Sequence, residues 1–138
     1  MSRHCFTYGS LMCADIMAAV CGLELAGEPA SLDGYRRHPV RHEAYPGMVP
    51  MPGHAVAGVL YRNVPPEAIA RLDAFEGPQY ERRCVTVQLP DGGTLAADTY
   101  VFRPEFASEL LPGDWDFERF LREGKPRFER QYVGYDRL

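Results

Sequence analysis

The sequence predicts an α+β fold with a mixed or barrel-like sheet. Three observations predict it: segments of strand character outnumber helical ones, the helices are short and fall singly between hairpins, and the stretch from Tyr80 to Phe102 spells out a hairpin. In that hairpin, alternation over Tyr80 to Leu89 runs into the turn Pro90-Asp91-Gly92-Gly93, and Thr94 to Phe102 returns antiparallel.

The remaining elements follow in chain order. About Arg3 to Tyr8 is apolar enough for a first strand, and Asp15 to Val20, with Ile16, Met17, Ala19 and Val20, reads as a short helix laid over it. Glu28 to Arg37 is a second strand. Val40 to Tyr45 adds a short one before a loop from Pro46 to Pro52, where proline and glycine crowd. Ala55 to Asn63, carrying Val56, Val59 and Tyr61, is a core strand that stops at Pro65-Pro66. The helix Pro66 to Phe75 opens on a proline suited to a first turn and sets Ile69, Leu72 and Phe75 three apart on one stripe. Asp116 is placed to cap a last short helix, Phe117 to Arg122. Beyond Pro126, the tail Arg127 to Leu138 has no clear period.

At 138 residues the chain fits one domain, residues 1–138, able to bury roughly two thirds of its unfolded surface. Net charge is −4 and the pI about 5.5, so there is no overall positive field to attract nucleic acid or anionic lipid, and neither is an expected partner. Fourteen arginines against one lysine favour placed, hydrogen-bonded cations over a diffuse lysine coat. The apolar N-terminal stretch through Ala26 is broken by Thr7 to Ser10 and by Asp15, and no segment approaches the roughly eighteen uninterrupted apolar residues of a membrane span. A soluble cytoplasmic protein is expected. Cys5, Cys13, Cys21 and Cys84 form no C-x-x-C pair, and His4, His38, His42 and His54 complete no zinc spacing. Reduced, mostly buried thiols and no metal are therefore expected.

Two segments carry candidate chemistry. Phe6-Thr7-Tyr8-Gly9-Ser10-Leu11-Met12 is a strand that breaks into a glycine turn and then a helix, which leaves backbone N–H groups unpaired and able to cradle an anion such as a carboxylate. The plainer alternative is a simple turn, with Ser10 capping the helix. In Leu72-Asp73-Ala74-Phe75-Glu76-Gly77-Pro78-Gln79-Tyr80-Glu81-Arg82-Arg83, Glu76 sits in the last turn of a helix that Gly77 caps in a left-handed conformation and Pro78 stops. The helix dipole there disfavours the ionised carboxylate, and an apolar setting near Phe75 and Tyr80 would raise its pKa further, toward the range useful to a general acid or base. Otherwise Glu76 is a solvated helix-end glutamate, Tyr80 a packed strand tyrosine and Arg82 half of a surface pair. Tyr35, Tyr45, Tyr132 and Tyr135 suit the core or rim of a half-buried sheet. No G-x-S-x-G elbow surrounds Ser10, and the sequence is silent on whether Cys13 approaches His38 or His42.

Taken jointly, the Phe6 to Met12 segment, Gly34-Tyr35-Arg36, Tyr45-Pro46-Gly47, Gly58-Val59-Leu60-Tyr61 and the Leu72 to Arg82 segment resemble, in order and spacing, the gamma-glutamylcyclotransferase-like superfamily. Within it the sequence looks most like the gamma-glutamylamine cyclotransferase and plant avirulence-induced-gene-like branch, and the likeness covers about residues 4 to 105. It implies a small mixed β-barrel flanked by a few short helices. It also implies that the backbone of Gly9, Ser10 and Leu11 holds the polar end of a small γ-glutamyl substrate, with Tyr8 and Tyr80 beside it and Glu76 as acid/base. The implied reaction closes 5-oxoproline by intramolecular aminolysis and needs no cofactor. Two other classes stay open: a non-catalytic domain that binds or senses a small ligand in the same pocket, and an interaction protein using a sheet edge or aromatic tail.

Overall fold

Period-two alternation sorts strand residues onto two faces, and here one face fills the barrel while helices cover part of the other. The computed structural model describes residues 3–132, with side chains through Phe128. Five strands, β1 (Arg3–Thr7), β2 (Gly27–Pro39), β3 (Pro46–Val64), β4 (Tyr80–Gln88) and β5 (Thr94–Phe102), close into a barrel in the order β1-β3-β2-β4-β5. The sheet is mixed, because β1 runs parallel to β5 where Cys5 faces Asp98 while the other described pairings are antiparallel. Four helices accompany it: α1 (Ala14–Cys21), α2 (Pro66–Glu76), α3 (Phe117–Arg119) and α4 (Lys125–Tyr132).

Residues from all five strands, among them Phe6, Leu32, Met48, Leu60, Val87 and Val101, fill the barrel. The opposite parity, Cys5, Tyr61, Tyr80, Tyr100 and Phe102, packs outward against Ile16 and Met17 of α1 and Ala68, Ile69 and Leu72 of α2. Ile16 and Leu72 are fully buried in this second layer, each contributing roughly 2 kcal/mol by leaving water. The thiols of Cys5, Cys13 and Cys21 are buried and that of Cys84 is exposed. Among the described residues no helix is long and apolar enough to cross a membrane, and no three His, Cys, Asp or Glu side chains are grouped to hold a metal ion.

The hairpin β4–β5 and the helix α2 stand where the sequence places them. Three segments differ. Pro46 to Pro52 is not a loop but the first part of β3, a 19-residue strand paired with β2 from Pro46 opposite Pro39 onward. Pro46 and Pro50 share parity, so their missing N–H groups lie along one edge, Pro52 falls in the register shift between Pro50 and Ala55, and β1 pairs only with Val59 to Val64 of that strand. Val40 to Tyr45 is a turn rather than a strand, tied by a single bridge from Val40 to Leu110. At the C-terminus Asp116 does cap α3, accepting from Arg119 N–H at 3.2 Å, but the chain continues through a π-turn, Phe120–Gly124, into α4. Pro126 lies in α4 directly after that wide turn, the kind of local widening that accommodates a residue without an N–H inside a continuous helical run. Residues 133–138, Tyr135 included, lie outside the described residues, as does the Tyr132 side chain.

Candidate active site

Beyond Thr7 the chain turns through Gly9 into the 3-10 turn Ser10–Met12, and α1 starts separately after Cys13. The cradle thus opens a 3-10 turn, not the α-helix, and Ser10 caps neither. Its four carbonyls are all engaged. Arg37 Nη1 donates to Tyr8 O at 2.9 Å, Tyr61 OH to Leu11 O at 3.0 Å, and the N–H groups of Met12 and Cys13 to Gly9 O and Ser10 O at 3.0 and 3.1 Å. The amides of Ser10 and Leu11 precede the first of these turn bonds and have no partner within the turn. A rigid loop with donors to spare is the result. A Cβ on Gly9 would lie 2.7 Å from Pro46 Cδ, so only glycine lets this backbone rest against the start of β3.

Tyr8, Gly9, Ser10, Leu11, Glu76 and Tyr80 all border one cavity of about 110 Å³, whose remaining wall is Phe6, Thr7, Tyr45, Pro46, Phe75, Tyr100 and Phe128. That space suits a compact head group. The hydroxyls of Tyr8 and Tyr80 donate to Tyr100 O and Pro46 O, each at 2.7 Å, so these residues offer the cavity their rings and hold its walls together. Burial, then neighbouring charge or ionisable rings, raises both phenols well above their usual range, and they stay protonated.

Glu76 reaches this cavity because Ile69, Leu72 and Glu76, spaced three and four apart, share the inward face of α2. Gly77 then ends the helix at φ 83°, ψ −171°, with its N–H on Asp73 O at 3.2 Å. This is not the left-handed cap the sequence predicts but an extended positive-φ conformation that is almost confined to glycine. No hydrogen bond supports the Glu76 carboxyl among the described residues. Burial among aromatic rings, with the Asp73 charge adding to it, pushes its pKa up to about 8. Glu76 is therefore poised to exchange a proton near neutral pH.

Behind it lies a chain of paired charges. Buried Asp98 accepts from Arg3 and, at 2.9 Å, from Arg82, while Arg82 Nε donates to Asp73 at 3.0 Å and Tyr100 OH donates to the same Asp73 oxygen at 2.7 Å. Burial alone would raise the Asp98 pKa, but the two guanidinium hydrogen bonds outweigh it and hold the carboxylate below its usual range. A second hollow of about 300 Å³ adjoins the cavity and shares Glu76, Tyr80 and Tyr100 with it; Asp73, Gly77, Arg82 and Arg103 complete its lining.

A family model described as "Gamma-glutamyl cyclotransferase, AIG2-like" matches residues 5–117. The chain belongs to this family. AIG2-like protein D of Arabidopsis thaliana is 31% identical over 117 residues, covering 83% of this chain and 76% of that protein. A solution structure of an A. thaliana protein superposes with a TM-score of 0.72 at 26% identity, over 96% of this chain and 80% of that one. A gamma-glutamyl cyclotransferase structure reaches 0.69 at 17% identity, over 95% and 85%, which shows the shared fold.

The two segments that most mark the gamma-glutamyl cyclotransferase, AIG2-like family in this sequence, the Tyr8 to Leu11 loop and the end of α2, meet at one cavity. Sequence reasoning missed other contributors. Tyr45, read as a rim or core aromatic, lines the cavity, and Arg82, read as half of a surface pair, joins two carboxylates behind it. Asp73 could have been found from its i, i+3 spacing to Glu76. Arg37 and Phe128 had no signal, since each reaches the site from far along the chain.

Proposed function

We propose that this chain is a γ-glutamyl cyclotransferase, releasing 5-oxoproline from a γ-glutamyl amine or γ-glutamyl peptide with Glu76 as the acid/base. The observation that carries the reading is that the Glu76 carboxyl, its pKa raised by burial, and the loop with spare amide donors at Ser10 and Leu11 line one and the same cavity. The substrate's glutamyl part occupies the cavity, its polar end at the amides of Ser10 and Leu11. Glu76 as carboxylate takes a proton from the α-ammonium, the freed nitrogen attacks the γ-carbonyl carbon, and a C–N bond closes the five-membered lactam. As the tetrahedral intermediate collapses, the original amide C–N bond breaks. The two protons shed by the attacking nitrogen end on the departing one, carried one at a time through Glu76, and no oxidant or reductant is required. A peptide α-ammonium has a pKa of about 8 and one beside a free α-carboxylate lies somewhat higher, so proton transfer to a carboxyl raised to about 8 is only modestly uphill, far less so than to an ordinary glutamate. Pinning both ends of a flexible glutamyl chain supplies the rest through proximity.

The test is incubation of the purified protein with γ-glutamyl amino acids, γ-glutamyl amines and glutathione, with 5-oxoproline as the readout. Release from at least one of them, lost by a factor of about 10³ or more in Glu76→Gln, is expected. Binding of these compounds without any release would make the chain a ligand-binding domain instead, and near wild-type turnover by Glu76→Gln would remove Glu76 from the mechanism.

A further inference from the structure

The reaction proposed above leaves one part of the substrate without a place. Glu76 must reach both nitrogens, so the scissile amide lies against it. The glutamyl side fills the inner cavity of about 110 Å³, and the group beyond the amide has to extend into the space that adjoins Glu76 elsewhere. The 300 Å³ hollow is that space, joined to the cavity along Glu76, Tyr80 and Tyr100. Its chemistry is unlike that of the inner cavity, since charged side chains replace aromatic walls.

Two guanidiniums line the hollow. Arg82 is already matched, bridging Asp73 and Asp98 at 3.0 and 2.9 Å. Arg103 donates its Nε to Pro78 O at 3.1 Å and has no carboxylate partner among the described residues. Asp73, the carboxylate that could attract a cationic leaving group, already has its charge matched by Arg82 at 3.0 Å, and the same oxygen accepts from the Tyr100 hydroxyl. What the hollow offers a ligand is therefore an unmatched positive charge with free donors in a planar fork.

We infer that this hollow is a leaving-group subsite in which Arg103 binds the α-carboxylate of an amino acid or short peptide, making γ-glutamyl α-amino acids the preferred substrate class over simple γ-glutamyl alkylamines. The inference rests on the cyclotransferase reading. Bond geometry favours it, because in a γ-glutamyl α-amino acid the carboxyl carbon is two bonds from the scissile nitrogen, so a nitrogen at Glu76 brings the carboxylate into the hollow that Arg103 lines. An alkylamine gives that guanidinium nothing to bind.

The experiment compares γ-glutamyl-alanine with γ-glutamyl-alaninamide, which differ only in carboxylate against carboxamide, in the wild-type protein, Arg103→Gln and Arg103→Lys. Wild type is expected to favour the carboxylate, and Arg103→Gln to lower the ratio of the two kcat/KM values about tenfold, mainly through KM for the carboxylate substrate. Arg103→Lys, which keeps the charge but not the fork, should retain part of the ratio. A general loss of stability or alignment would reduce both substrates together and leave the ratio unchanged. Release of 5-oxoproline with a ratio insensitive to Arg103, or a wild-type preference for the carboxamide, overturns the subsite alone. No 5-oxoproline from any γ-glutamyl compound overturns the cyclotransferase reading and the subsite with it.

Discussion

A carboxyl held neutral by its surroundings is a cost to the fold wherever the pH asks it to ionise. Glu76 has a folded-state pKa of about 8 against an ordinary 4.5, so the folded protein prefers its protonated form. The stability this group allows is fully present below pH 4.5 and is lost as pH rises through 8. Glu76→Gln, nearly isosteric and never charged, should then unfold at higher denaturant than wild type at pH 9, by an amount on the order of 5 kcal/mol, and at about the same denaturant at pH 4. Equal midpoints at pH 9 would mean that the side chain is solvated in solution. The same ionisation should shape catalysis, with the acid limb of kcat/KM falling near pH 8 because the free enzyme needs Glu76 as carboxylate. Burial is the larger cause of that pKa and the Asp73 charge the smaller, so Asp73→Asn should move the limb to lower pH without abolishing it. A pH–rate profile of the two proteins checks the direction.

Elements deliver these residues, and each delivery has a local cause. Gly77 ends α2 at φ 83°, ψ −171° immediately after Glu76, and a side chain there forces the backbone out of a conformation that residues other than glycine avoid. Gly77→Ala should cost about 1–3 kcal/mol in urea unfolding and lower kcat more than that loss of folded protein explains, because the last turn re-aims the carboxyl. Unchanged kcat at full folding would show that the cap does not set the aim. The sequence made much of this level legible. Alternation defined β4 and β5, and the inward face of α2 is written in Ile69, Leu72 and Glu76, although the same helix also offers Phe75 as a rival third member of the stripe. Proline was the misleading signal: at 46 and 50 it marks a strand edge and at 52 a register shift within the strand, rather than a loop, and at 126 it stands within a helix just after a wide turn. In both places the register of neighbouring chain, not the residue itself, decides the outcome.

On the scale of the whole molecule the cavity is closed by chain that begins more than a hundred residues after the cradle. Trp115 Nε1 donates to Ala44 O at 2.8 Å, Arg37 lies 5.4 Å from the Trp115 ring centroid and pairs with Asp114, and Phe128 stands edge-on to Phe75 and Phe120 while forming part of the cavity wall. None of this was legible in the sequence. Local patterns specify faces and turns, whereas which distant aromatic covers which opening depends on the closed barrel having formed first. The cover matters because Glu76 owes most of its raised pKa to burial. Phe128 is 2% exposed, so Phe128→Ala should cost about 3 kcal/mol in stability and admit water beside the carboxyl. Its pKa then falls toward 4.5, and the acid limb of kcat/KM moves to lower pH, in the same direction as with Asp73→Asn but by a different route. Phe128→Leu, which keeps most of the apolar cover, should shift the limb less and remain folded if alanine proves too severe. A limb that stays near pH 8 in both variants, measured under conditions where each is folded, would place the cause of the shift in α2 and the barrel rather than in the C-terminal cover.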